Sequence, residues 1–471
     1  MPKSMVLLLF GSLLITSVDA GEFRITPSID LDKALEGISA GDSIVLANGI
    51  WNDAKLHFES LPGTAEHPVQ IRAQTPGKVI LGGKTEFRIS GHHITVSGLA
   101  FRNTTGASDV FAFRTHSKRH AYHSRITECV FEQTTGSRRD KESRWLNIYG
   151  TNNRIDHCYF VGKRNKGATL VVWVAKSVGV HQIDHNHFGQ RPELGRNGGE
   201  TIRIGTSDVS ELNSRTIVEE NYFEGCNGEG EVISNKSCEN IYRHNVFDRC
   251  RGTLTLRHGH RCVVDGNVFL GRKESRTGGV RIIGGDHRVT NNYFESLRGD
   301  AERAAVCFMN GIPDSPLNGY APVRNALVAH NTFIDCKVSM EFGVRASEKI
   351  SVNPANCRIS HNAYLPGKWE LIRVGAKPQK FTWLGNKCQA GGTRGANLVE
   401  IERVDILMSR ASDGLMRPVM GTLESTGTTS VRFDIDRTQR EGTPIAGCDA
   451  PGKARSSWPS PKSTGPTWHA R

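Results

Sequence analysis

Glu229 and Glu231 stand two residues apart, so on a β-strand their carboxylates share one face. Asn197, Glu231, Arg257 and Arg281 fall 9, 8, 10 and 12 residues beyond Phe188, Phe223, Phe247 and Phe269. Lys236 follows Glu231 by five residues. If the four phenylalanines are equivalent positions of a repeat, an amide, two carboxylates, an amine and two guanidiniums line one wall. Two carboxylates and an amide oxygen are hard donors that suit Ca²⁺, with water or substrate oxygens completing its shell. A salt-bridge ladder is the plain alternative, with the glutamates paired to Lys236 and Arg203. A glycosidase acid/base pair is another, but Glu229 and Glu231 are too close in sequence for the usual opposition across a sugar. His258 and His260 flank the position of Arg257, and His258 is the stronger of the two for a role.

Positioning such a wall is the work of a repeat. Asn-x-aromatic recurs at Asn186/Phe188, Asn221/Phe223, Asn245/Phe247, Asn267/Phe269, Asn292/Phe294, Asn331/Phe333 and Asn362/Tyr364, with looser relatives at Phe131 and Phe160. The closest repeats are 24, 22 and 25 residues apart, a solenoid period. Short alternating runs such as Thr253 to Leu256 predict strands with one face inward, and no long stretch shows a helical period. The reading is an all-β parallel β-helix, its equivalent residues stacked about 4.8 Å apart. Phenylalanines would fill the core, asparagines would form a hydrogen-bonded ladder, and the cysteine columns Cys226/Cys250 and Cys238/Cys262 would be buried thiols rather than disulfides. The 24-residue offset sets Glu229 and Glu231 opposite Thr253 and Thr255 in the next coil. A short N-terminal helix over Asp30 to Glu36 would cap the first coil. Residues 21–450 read as one β-helix domain, and 451–471, rich in Pro, Ser, Lys and Gly, as a disordered tail.

Sixty lysines and arginines against 48 acidic residues give a formal charge of +12. Such a surface suits a polyanion, yet no Lys/Arg-rich run marks a nucleic-acid tail. Lys3, an apolar run from Met5 to Ile15 and the small residues at Val18 and Ala20 predict an export signal over residues 1–20. No apolar stretch is long enough for a spanning helix. The protein is expected in the periplasm or secreted. Eleven cysteines, an odd number, contain no C-x-x-C pair of the zinc type.

Asn197-Gly198-Gly199-Glu200-Thr201-Ile202-Arg203-Ile204-Gly205, Glu229-x-Glu231-x4-Lys236, Leu256-Arg257-His258-Gly259 and Gly278-Gly279-Val280-Arg281-Ile282-Ile283-Gly284 resemble polysaccharide lyase family 6. That family holds alginate lyases and the dermatan-sulfate-cleaving chondroitinase B. The resemblance spans most of the chain beyond the signal and shows no departure at the five central positions. It implies a right-handed β-helix, a Ca²⁺ site of Asn197, Glu229 and Glu231, Lys236 as Brønsted base and Arg257 as Brønsted acid. Arg203, His258, Arg281 and His287 would be substrate-side or supporting residues. The implied partner is an acidic polysaccharide, alginate first. A chondroitinase B-like lyase on dermatan sulfate is the alternative inside the family, and a non-catalytic glycan-binding β-helix the alternative outside it.

The implied reaction is β-elimination at a uronate: removal of the C5 proton and loss of the C4 oxygen. The C5 proton is weakly acidic because its carboxylate is already negative, which is why a cation and a base are expected side by side.

Overall fold

The computed structural model describes residues 20–28, 31–104, 107–135, 139–390, 401–419, 421–449 and 454–469. The expected export signal lies outside these residues except for Ala20.

Each coil of the chain contributes one short strand to each of three fourteen-stranded sheets. Successive strands of these sheets come mostly from successive coils and pair in parallel; the antiparallel pairs are a hairpin at Arg114–His116 and Arg119–Tyr122 and a separate two-stranded sheet of Met408–Arg410 and Met416–Pro418. This is the expected right-handed parallel β-helix, the hand that parallel crossovers adopt. Most strands run three or four residues, which suffices because their backbone groups pair with the coils above and below.

The corner before one sheet shows how the sequence builds the coil. The residue preceding each ladder asparagine, namely His185, Glu220, His244, Gly266, Asn291, His330, His361 and Gly385, has φ between 52° and 64°. That left-handed bend turns the chain, and His, Asn and Gly tolerate it better than branched residues. The asparagine that follows is buried, and its Nδ2 donates to Oδ1 of the next coil's asparagine. From Asn186 through Asn221, Asn245, Asn267, Asn292, Asn331 and Asn362 to Asn386 these bonds measure 2.9–3.0 Å. Two residues on, the rings of Phe101, Phe131, Phe160, Phe188, Phe223, Phe247, Phe269, Phe294, Phe333 and Tyr364 stack with centroids 4.4–5.0 Å apart. The eleven cysteines are buried, and none is in a disulfide among the described residues. The ladder reaches Asn386, one coil past the last repeat visible in the sequence.

Two expectations change. Within Asp30 to Glu36 the described helix is a single turn, Leu31–Ala34, and Leu31, Ala34, Leu35 and Ile38 pack on the first coils of the core. Residues 454–469 do not behave as a disordered tail but lie along the outside of the solenoid. Trp458 joins an apolar cluster with Tyr222, Val246 and Tyr293, and Trp468 Nε1 donates to the Glu128 carbonyl at 2.9 Å. Composition signalled disorder, but two tryptophans supply enough apolar area to hold the strap down.

Six successive strands of one sheet carry the site: β1 (Leu170–Val172), β2 (Ile202–Ile204), β3 (Glu231–Lys236), β4 (Thr253–His258), β5 (Val280–Ile282) and β6 (Val306–Met309). Ile202, Ile233, Leu254, Val280 and Val306 form an inward column, and Arg203, Ser234, Thr255, Arg281 and Cys307 the neighbouring outward one.

Candidate active site

The site is built where the repeat is broken. Ten residues separate Phe223 from Ile233, but seven separate Phe247 from their register partner Leu254. The surplus carries Glu229 out of the strand into the loop before β3. It also leaves Val232 as a bulge, so Glu231 faces Thr253 rather than the expected Thr255. A second irregularity follows: Asn235 pairs with Leu256 and Lys236 with His258, leaving Arg257 as the extra residue. Bulges of this kind re-aim side chains beside functional sites.

Asn197, Glu229, Glu231, Lys236, Arg257 and Arg281 all line one cleft of about 610 Å³. Successive coils thus bring these six side chains to one cleft. Eight basic side chains and five glutamates surround the space, which makes it a cleft for an anion with a local acidic pocket.

The acidic pocket is organised by backbone. Glu229 Oε2 accepts from the N–H groups of Gly198 (2.8 Å) and Gly199 (3.0 Å), so the loop carrying Asn197 is tied to the loop carrying Glu229. Glu231 accepts from Arg281 Nη1 at 3.4 Å. The alternative ladder, with the glutamates paired to Lys236 and Arg203, does not form among the described residues. Glu200 also lines the cleft, and its Oε2 is buried with no hydrogen-bond partner. Burial, and then the negative neighbours Glu200 and Glu231, push Glu229 up to about 7 against the pull of the two N–H donors. An orphaned carboxylate oxygen beside two crowded carboxylates and an amide is a donor set that fits a hard divalent cation. A second acidic group, Asp434, Asp436 and Asp449, is already occupied by Arg417, which pairs with Asp436 at 2.5 Å and Asp449 at 3.0 Å.

Arg257 is fixed from three sides. Its Nη1 donates to the Gly319 carbonyl at 2.6 Å, Nη2 to Asn318 at 3.3 Å, and the guanidinium lies 4.3 Å from the Tyr320 ring centroid. His258 sits behind it, with Nδ1 3.4 Å from Arg257 Nη1 and Nε2 3.1 Å from Ser207 Oγ. Burial, then Arg257 and Lys236, lower His258 to about 3. The ring is therefore neutral at pH 7. Nδ1 faces a donor and must accept, so Nε2 carries the proton and points it at Ser207.

The remaining expected residues divide. Arg281 is buried and bridges Glu231 to Glu302, whose Oε2 lies 3.7 Å away. Its part is to brace the pocket wall. Arg203 lies outside the cleft lining, with its guanidinium 5.4 Å from the Trp173 ring centroid. His287 is a correction: it is fully buried, donating from Nε2 to Ile283 and accepting at Nδ1 from the Cys262 N–H (3.0 and 3.2 Å). The Gly284-Gly285 turn carries the chain round the corner after β5, so His287 enters the interior and cannot touch a substrate. Glu200 and Tyr320 were not picked out from sequence. Glu200 stands inside the Asn197 motif and could have been found there, while Tyr320 lies in a loop outside the repeat.

The family model described as chondroitinase B matches residues 25–370. None of the curated proteins compared matches the chain. Two structures of the alginate lyase AlyGC of polysaccharide lyase family 6, the first of them a mutant, superpose with TM-scores of 0.86 and 0.81 at 35% and 39% identity. They cover 96% and 85% of this chain, which spans 59% and 56% of theirs. A mannuronic acid-specific family 6 lyase from human gut microbiota is 32% identical over 78% of this chain and 86% of its own, with a TM-score of 0.68. Fold and cleft thus define a parallel β-helix protein with a charged groove on one sheet. The chain belongs to polysaccharide lyase family 6, the family of the chondroitinase B model.

Proposed function

We propose that this protein is a lyase that cleaves alginate by Ca²⁺-assisted β-elimination, leaving 4,5-unsaturated uronate ends. The observation that carries the reading is the convergence of Asn197, Glu229, Glu231, Lys236 and Arg257 on one cleft. Asn197, Glu229 and Glu231 would hold the ion, with Glu200 next to them. When bound, Ca²⁺ would offset the charge of the substrate carboxylate and so acidify the C5 proton.

Lys236 takes the C5 proton as a neutral amine. The C–H electron pair becomes the C4–C5 double bond as the C4–O bond breaks. Arg257 donates a hydrogen bond to the departing oxygen and stabilises its charge, and the proton that completes the new hydroxyl comes from Arg257 or a water it orients. The cation excess of the cleft supports an acidic polymer as substrate, and an export signal would place the enzyme in the periplasm or outside the cell.

Dermatan sulfate is the second reading, favoured by the chondroitinase B match. The test is a panel of alginate, its mannuronate and guluronate blocks, and dermatan sulfate, followed by absorbance of the new double bond, with EDTA and Ca²⁺ added in turn. Alginate should give signal that EDTA removes and Ca²⁺ restores. Signal on dermatan sulfate alone transfers the reading to that polymer, and binding without any unsaturated product overturns lyase activity.

A further inference from the structure

We infer that Arg191, a fully buried residue outside the catalytic pair, is the positioning residue that sets the Ca²⁺ pocket, acting on Glu229 through the Gly198–Gly199 peptide. The inference rests on the calcium reading above.

Among the described residues the Arg191 guanidinium makes no bond to a carboxylate. Its Nη1 donates to Thr169 Oγ1 (3.1 Å) and the Glu200 carbonyl (2.5 Å), and its Nη2 to the carbonyls of Asn165 (3.3 Å), Gly167 (2.9 Å) and Gly198 (3.2 Å). One side chain thus ties the loop before β1 to the loop before β2, the one that carries Asn197. The main chain of Arg191 reaches the third loop as well, because its carbonyl accepts from the Asn227 N–H at 2.9 Å. A Cβ at Gly228 would stand 2.1 Å from the Gly199 carbonyl oxygen and 2.8 Å from Arg191 Nε, so glycine lets both the Gly199 backbone and the guanidinium lie against the Glu229 loop.

The Gly198–Gly199 peptide is the link. Its carbonyl accepts from Arg191 Nη2, while its N–H, on Gly199, donates to Glu229 Oε2 at 3.0 Å. A cation on the carbonyl side of a peptide polarises it and strengthens the N–H as a donor. Arg191 therefore aims Glu229 while leaving both oxygens of Glu200 and the free oxygen of Glu229 unclaimed by its own N–H groups. A lysine would keep the charge but could not span five acceptors with one ammonium.

The test compares wild type, Arg191→Lys, Thr169→Val and Asn221→Ala, the last a ladder residue remote from the pocket. Each is checked for folding by circular dichroism and titrated with Ca²⁺ by calorimetry well below its melting temperature. Folded Arg191→Lys should bind Ca²⁺ about 10–100-fold more weakly, the usual cost of losing an outer partner of a metal site. Its kcat on alginate should return at saturating Ca²⁺. Thr169→Val should weaken binding in the same direction by less, and it carries the test if Arg191→Lys fails to fold. Asn221→Ala should melt lower with unchanged Ca²⁺ affinity. Unchanged affinity in a folded Arg191→Lys, or in Thr169→Val where that variant stands in, overturns the role of Arg191. Equal weakening in Asn221→Ala overturns it too, since general loosening would then suffice. A wild type that binds no Ca²⁺ removes the functional reading itself, a result distinct from either.

Discussion

Lys236 is paired in register with His258, not with Arg257, because Arg257 is the extra residue of the irregularity between β3 and β4. Amine and guanidinium thereby reach the same cleft from adjacent coils, with His258 behind Arg257. His258→Ala should remove the imidazole acceptor behind Arg257 and leave it held by the Gly319 and Asn318 carbonyls and the Tyr320 ring. A hydrogen bond to a charged group is worth about 1.5–3 kcal/mol, so kcat should fall at least about tenfold with KM little changed. Initial rates on alginate check this. A loss confined to KM would show that His258 touches substrate instead.

Lys236→Ala should cost about 10²–10⁴ in kcat, the range for a lost general base, while the melting temperature stays with wild type. Lys236 is half-buried and no ion pair holds it among the described residues, so little stability is at stake. Full activity in this variant would rule out the assigned base.

Calcium should stabilise the fold through the loops it joins. At a hundred times its Kd a ligand specific for the native state adds about 2.7 kcal/mol. Melting temperature should rise with Ca²⁺ in wild type and not in the double variant Glu229→Gln/Glu231→Gln. A rise of equal size in that variant would place the ion elsewhere.

The columns that repeat in every coil were legible in the sequence. Asn221 and Asn245 must do the same job one rung apart, and so must Phe223 and Phe247, so their spacing exposes the solenoid. The gathering of Asn197, Glu229 and Glu231 was legible for the same reason. What was not legible is the local departure. Counting 24 residues from Glu231 leads to Thr255, because sequence offsets do not show where the three surplus residues before Ile233 are absorbed. His287 entered only through the family resemblance, and the corner between Arg281 and His287 turns it inward. The strap at 454–469 was hidden because its packing depends on two tryptophans meeting distant coils.

The asparagine ladder should be a main source of stability. Asn267 Nδ2 donates to the Tyr242 carbonyl and to Asn292 Oδ1, and its Oδ1 accepts from Asn245. Asn267→Ala leaves buried partners unsatisfied on both sides, at about 1–3 kcal/mol each. A loss on the order of 3 kcal/mol is expected in denaturant unfolding, with Ca²⁺ affinity retained. A change under about 0.5 kcal/mol would show that water replaces the amide.

The buried histidines give the fold an acid limit. Burial lowers His181 and His287 to about 4, and among the described residues neither has a carboxylate hydrogen-bonded to it. In the unfolded chain each titrates near 6.5. Between those values the unfolded state takes up protons that the native state refuses. Stability is therefore full above about pH 6.5 and falls as pH drops towards 4, by on the order of 2–3 kcal/mol per histidine. Raised carboxylates act in the opposite sense, as with Asp265, held up by burial, so the net slope is best isolated by substitution. His287→Gln keeps a donor for the Ile283 carbonyl and an acceptor for the Cys262 N–H but cannot be protonated. Denaturant unfolding from pH 7 to 4.5 should show a shallower decline in this variant than in wild type, and parallel curves would mean that His287 takes up its proton in the folded protein as readily as in the unfolded chain.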